Sequence, residues 1–99
     1  MSEPAFSLGR VVATPGVLAS VDPALCYACL ARHRVCDWGD LDACDKGTND
    51  AALITAAVPG ALGWRLFSSY RTPSGALYII TEPVDTEHRT TTLLLADEY

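Results

Sequence analysis

The sequence predicts an α+β domain: an antiparallel sheet, made of an N-terminal strand and a C-terminal three-stranded meander, with two helices packed on one face. Three observations predict it. A Val-rich run opens the chain, and two segments with apolar residues at three- and four-residue spacings fill its middle. The last third holds three β-rich runs, the first two divided by Thr72-Pro73-Ser74-Gly75, a strong turn signal. A chain of 99 residues has room for one such core and little for a second, so residues 1–99 read as a single domain.

Each element has its own warrant. Ser7 to Thr14 reads as the first strand, with Leu8, Val11 and Val12 apolar. Thr14-Pro15-Gly16 ends it, and Thr14 is suited to cap a short helical turn through Val17, Leu18 and Ala19. Asp22-Pro23 is a clearer helix start. From there Leu25, Cys26, Cys29, Leu30 and His33 fall on one stripe of a helix that reaches about Arg34. Arg32 and Arg34 near its end suit the negative pole of the helix dipole. Asp37 to Asp42 is a turn containing Gly39. Asp42 or Asp45 then caps a second helix, whose apolar side runs from Ala51 to Val58 and which Pro59-Gly60 stops. Gly47 weakens its first turn.

Trp64 to Arg71 and Ala76 to Glu82 are the next strands. Trp64, Leu66 and Ser68 share one face of the first, and Arg65, Phe67 and Ser69 the other. Glu82 to Arg89 is a charged turn, and Thr90 to Leu95 the last strand. Leu66 or Phe67, Ile79 or Ile80, and Leu93 or Leu94 are expected beneath the helices.

Charge and composition narrow the function. A net charge of −5 with scattered basic residues disfavours direct nucleic-acid binding. No apolar run approaches the length of a membrane span. The N-terminus has neither the basic region nor the long apolar core of a secretory signal, so a cytoplasmic protein is expected. In that compartment the cysteines are thiols or metal ligands rather than disulfides. The acids, by contrast, cluster: Asp37, Asp40, Asp42, Asp45 and Asp50 are opposed only by Lys46. They are either helix caps in a solvated connection or an acidic face for a basic partner. Trp38 among them is either a core plug or a contact anchor.

Catalytic and metal chemistry is poorly represented. Cys26, Cys29, His33, Cys36 and Cys44 are the only concentrated soft ligands, and their spacing is not that of a zinc knuckle or ribbon. No metal or other cofactor is therefore expected. Cys26-Tyr27-Ala28-Cys29 lies inside its helix, where the dipole does not activate a redox thiol. No carboxylate marks His33 or His88 as the base of a nucleophilic site, and no glycine-rich phosphate loop is present. Ser68, Ser69 and Thr90 to Thr92 read as strand hydroxyls that face solvent or pair across the ladder.

Several short motifs follow one another along the chain: Ala13-Thr14-Pro15-Gly16, Leu30-Ala31-Arg32-His33, Asp37-Trp38-Gly39-Asp40-Leu41, Asp45-Lys46 and Asn49-Asp50. They are followed by Ser68-Ser69-Tyr70, Ile79-Ile80-Thr81-Glu82 and a Thr91-Thr92-Leu93-Leu94-Leu95 ending with Glu98-Tyr99. In this combination and order the chain resembles a widespread family of small bacterial proteins of unknown function, labelled plasmid-related and carried on mobile elements. The resemblance covers nearly the whole chain. Against the family pattern, Val58 to Trp64 looks like an insertion, Pro83 to His88 is a longer turn, and the cysteines are additions. That last departure argues against an obligate zinc site. The resemblance implies no enzyme activity and no catalytic residues.

What it implies instead is a non-catalytic inhibitor from a mobile element, of the anti-CRISPR or anti-restriction kind. Its acidic surface would meet a protein partner, a nucleic-acid-handling complex of the host. A regulatory partner in plasmid maintenance is the alternative, and a Cys/His metal- or thiol-dependent protein is a second.

Overall fold

A computed structural model describes residues 6–56, 65–82 and 89–99. Two pairs, Thr14-Pro15 and Asp22-Pro23, organise its N-terminal half. Thr14 leaves strand β1 (Arg10–Ala13) and caps helix α1 (Pro15–Ser20), its hydroxyl accepting from the Val17 amide. Asp22 caps α2 (Pro23–Arg34) in the same way, accepting from the Ala24 amide at 2.9 Å. In both, proline occupies a first-turn position whose N–H the helix does not use. Helix α3 (Ala43–Ala56) begins after Asp42, whose Oδ1 accepts from the Asp45 amide at 2.8 Å. Asp42 is thus the cap, and Asp45 lies in the first turn near the positive pole of the dipole. The expected stop at Pro59-Gly60, the Val58 to Trp64 stretch and the Pro83 to His88 turn lie outside the described residues.

The end of α2 positions everything after it. The Asp37 amide donates to the Arg32 carbonyl at 2.9 Å and the Cys36 amide to that of His33 at 3.1 Å. This pair of bonds is a Schellman cap, which needs a left-handed residue between helix and exit. Glycine is the usual choice; here Cys36 takes the conformation, with φ 65°. The chain therefore turns sharply and lays Trp38 back against the helix.

Strands β2 (Leu66–Thr72) and β3 (Gly75–Glu82) form an antiparallel hairpin with Thr72 opposite Gly75, and β4 (Thr90–Leu95) pairs antiparallel with β3. The meander is as expected. The N-terminal strand corrects the expectation of an all-antiparallel sheet: β1 runs parallel to β4, and the order is β1-β4-β3-β2. The helices number three among the described residues, because the Thr14-capped turn is a helix in its own right.

The reason for β1's place lies at the other edge. The outer side of β2 is already occupied. Gly39 bridges Ser69, the Ser69 amide donates to the Trp38 carbonyl at 3.2 Å, and the Asp40 amide to the Ser69 carbonyl at 2.7 Å. The Asn49 side chain saturates both backbone groups of Phe67, at 2.6 and 2.9 Å. The Asp40 carboxylate accepts from the Arg71 amide at 2.9 Å. An edge so covered cannot take another strand. Gly39 is required there, since its φ is 74° and a Cβ would lie 2.1 Å from the Ser69 carbonyl oxygen.

Alternation along the strands sends one set of side chains under the helices. Tyr70, Leu77, Ile79, Leu93 and Leu95 pack with Val17, Val21, Cys29 and Leu30, while Leu66 packs with Trp38, Ala52 and Leu53. Of the alternatives left by the sequence, Leu66, Ile79 and Leu93 therefore take the helix face. Phe67 lies on the opposite face, its ring 4.8 Å from that of Tyr78 and 6.3 Å from that of Tyr99.

Candidate functional site

Four of the motifs, Leu30 to His33, Asp37 to Leu41, Asn49-Asp50 and Ser68 to Tyr70, meet around the Trp38 turn and β2. Arg32 holds the turn closed. Its guanidinium donates to both oxygens of Asp37, at 2.7 and 3.2 Å, and lies 4.7 Å from the centre of the Tyr70 ring. The Tyr70 hydroxyl in turn donates to the Asp37 carbonyl at 2.6 Å. The Arg32 hydrogen bond holds the Asp37 carboxyl below its usual range, and burial pushes the Tyr70 phenol up. Leu30-Ala31-Arg32-His33 and Asp37-Trp38-Gly39 are thus two halves of one clasp on β2.

One residue further along α2, His33 is fully buried beneath that clasp. Its Nδ1 meets Ser68 Oγ at 2.5 Å and its Nε2 meets Thr81 Oγ1 at 3.0 Å. Thr81 Oγ1 meets Thr91 Oγ1 at 2.7 Å, and Thr91 donates to the Leu8 carbonyl at 2.7 Å. The polarity of this chain follows from its end, because a carbonyl only accepts. Thr91 donates to Leu8, so Thr81 donates to Thr91, His33 Nε2–H donates to Thr81, and Ser68 donates to Nδ1. Desolvation by burial lowers the His33 pKa from 6.5 to about 4, so the ring is neutral at neutral pH. The network ties α2, β2, β3, β4 and the segment before β1 together.

Ser68 beside a histidine has the atoms of a nucleophile and its base, but not the setting. Ser68, His33, Thr81 and Thr91 are all fully buried, and the second ring nitrogen is held by a hydroxyl where a catalytic triad uses a carboxylate. From the sequence, Ser68 and Thr91 are expected as solvent-facing or cross-ladder hydroxyls. Thr81 and Thr91 do pair across the ladder, but on the inner face. Thr81 and Asn49 escaped notice as site residues. The one available signal was polar residues at inward positions of apolar strands.

Trp38 is the core plug and not an exposed anchor. It is 3% exposed, forms a cluster with Leu66 against which Cys36, Leu41 and Leu53 pack, and sets its ring edge-on to His33 at 5.6 Å. Phe6 closes the stack, 6.3 Å from Trp38 and 5.2 Å from His33. Only the indole nitrogen reaches outward, donating to Asp50 Oδ1 at 3.1 Å. The acidic residues divide accordingly. Asp37 is paired with Arg32, and Asp50 holds Trp38. Asp40, Asp42 and Asp45 are exposed, Asp40 on the turn that covers the β2 edge and Asp42 and Asp45 at the start of α3.

The soft ligands do not converge. Cys29 is in the core, Cys26 and Cys36 are half-buried, Cys44 is exposed, and both His33 nitrogens are engaged. Among the described residues no three His, Cys, Asp or Glu side chains are grouped to hold a metal ion. Burial pushes the thiols of Cys26, Cys29 and Cys36 up, away from the thiolate that metal binding and nucleophilic attack require. Elemental analysis of the purified protein is expected to find no stoichiometric zinc, and a chelator to leave its melting curve unchanged. One equivalent of zinc, lost together with the fold on chelation, is the opposing result.

Among the described residues no helix is long and apolar enough to cross a membrane. Comparison with protein-family models, curated proteins and solved structures gives no match.

Proposed function

We propose that the chain is a non-catalytic protein-binding inhibitor from a mobile element, acting in the cytoplasm. In this reading its acidic turn engages a Lys/Arg-rich surface of a nucleic-acid-handling host complex, as an anti-CRISPR or anti-restriction protein does. The reading rests on the family resemblance of the motifs and on one structural observation: the Asp40, Asp42 and Asp45 carboxylates are exposed on backbone fixed against β2 and at the start of α3. Fixed carboxylates compete with phosphate for basic groups without an ordering cost at binding, and they speed encounter. Asp37 and Asp50 add less, since Arg32 and the Trp38 indole already engage them.

The test separates charge from structure. Asp40→Asn and Asp42→Asn keep an acceptor oxygen for the Arg71 and Asp45 amides while removing the charge; Asp45→Asn removes a third. Each exposed pair is worth about 0–1 kcal/mol, so the triple variant is expected to lose affinity for a co-purifying CRISPR or restriction complex by roughly tenfold. Its melting temperature should barely move, and its binding should lose most of its salt dependence. Unchanged affinity and salt dependence in a folded triple variant would remove the acidic surface from the proposal.

A further inference from the structure

The two edges of the sheet are treated differently. The β2 edge is covered by Trp38-Gly39-Asp40 and by Asn49. The β1 edge has no such cover among the described residues. β1 pairs on one side only, through bonds such as Arg10 N–H to the Arg89 carbonyl and Thr14 N–H to the Leu93 carbonyl. Residues of a ladder alternate in direction, so Val12 also faces β4, and Val11 and Ala13 turn their N–H and C=O groups outward. Proteins ordinarily blunt such an edge with lysine, proline, a bulge or a covering loop. Here the flank is apolar instead. Val11 is 44% exposed, Leu18 75% and Tyr27 73%. They border an apolar groove of about 180 Å³ whose floor includes Ala13, Val21 and Leu93.

We propose that this edge is a self-association surface, in which β1 of two copies pairs antiparallel across a two-fold axis and joins their sheets into one of eight strands. The occupant is a second copy because the strand is charge-complementary to itself. Arg10 stands at its N-terminal end, and Arg34 borders the adjoining cleft with Val11. At its C-terminal end Thr14 donates to Glu98 at 2.6 Å, and the Gly16 amide to the same carboxylate at 3.3 Å. Antiparallel pairing centred on Val12 sets Val11 opposite Ala13 of the second copy, which satisfies all the outward backbone groups of both. The same register sets Arg10 opposite Thr14, beside the Glu98 carboxylate of the second copy. A parallel alignment would place arginine beside arginine. Leu18 and Tyr27 of each copy then close over the seam, and the acidic turns at the two β2 edges are left at the far ends. This assembly does not depend on the function proposed for those turns.

Sedimentation of the full chain tests it. The wild type is expected at twice the 10.6 kDa chain mass, dissociating as salt is raised. Val11→Pro removes one outward N–H and leaves the β4 ladder untouched, so it should give a monomer with unchanged far-UV circular dichroism. Leu18→Glu should do the same, and because that side chain is mostly exposed it carries the test if Val11→Pro fails to fold. Arg10→Glu should weaken the dimer by setting acid against acid. A wild type that sediments as a monomer at every concentration overturns the proposal. So does a dimer that Val11→Pro and Leu18→Glu leave unchanged.

Discussion

Replacing His33 by Ala is expected to cost about 4 kcal/mol or more, against the 5–15 kcal/mol that holds a typical domain together. Two effects add. The missing imidazole leaves a cavity between the two apolar clusters, and large-to-small changes of this kind cost about 2–5 kcal/mol. It also leaves the fully buried Ser68 hydroxyl without its acceptor, while Thr81 keeps its bond to Thr91; an orphaned buried polar group costs about 1–3 kcal/mol. The loss is a property of a half-removed network. Combining His33→Leu with Ser68→Ala and Thr81→Val should therefore recover part of it, because the polar groups leave together and Thr91 keeps its bond to the Leu8 carbonyl. Urea unfolding at pH 7.5 measures both. A single variant as stable as the wild type would show that the chain of bonds contributes little.

The same histidine makes a pH prediction whose sign follows from burial. The folded pKa is depressed to about 4 from 6.5, so on acidification the unfolded chain takes up a proton that the folded protein refuses. Stability is complete above about pH 6.5 and declines as the pH falls towards 4, by up to about 3 kcal/mol. Titration of carboxylates such as Asp37, itself held low by Arg32, enters mainly below this window. The His33→Leu combination should flatten the slope between pH 6.5 and 4.5. An unchanged slope would place its origin elsewhere.

Trp38→Ala carries the second large effect, about 3–5 kcal/mol from the lost packing of a buried indole. Its neighbours come from the segment before β1, from α2, from α3 and from β2, so truncation loosens the clasp that covers the β2 edge. Trp38→Phe should cost much less, since the indole nitrogen donates to the carboxylate of Asp50, an exposed residue that water can serve. Chemical unfolding followed by circular dichroism checks the pair. Its informative failure is a Trp38→Ala protein that is as stable as the wild type but binds its partner less well; that result would restore Trp38 as a contact anchor.

Local signals carried much of this architecture. Thr14-Pro15 and Asp22-Pro23 are helix starts because capping and proline geometry act within three residues. The Thr72 to Gly75 turn and the β-branched runs around it yield the meander by the same short-range logic. Asp42 and Asp45 were equally good caps on paper, and only the path of the chain out of α2 chose between them. That path depends on Cys36, which adopts a left-handed conformation that nothing in its side chain announces.

The sequence alone was enough to determine an α+β chain with the starts of its first two helices and its hairpin, because those depend on bonds between near neighbours. The tertiary structure alone decided the partner of β1, the covering of β2 and the hydroxyl partners of His33. Each of these joins residues that are far apart in the chain, as Asn49 joins Phe67 and His33 joins Thr81. Aspartate, serine and histidine read as surface or site chemistry until their partners are known. Here desolvation made the partners of His33, Ser68 and Asn49 obligatory, while backbone pairing set Trp38, Gly39 and Asp40 along the β2 edge.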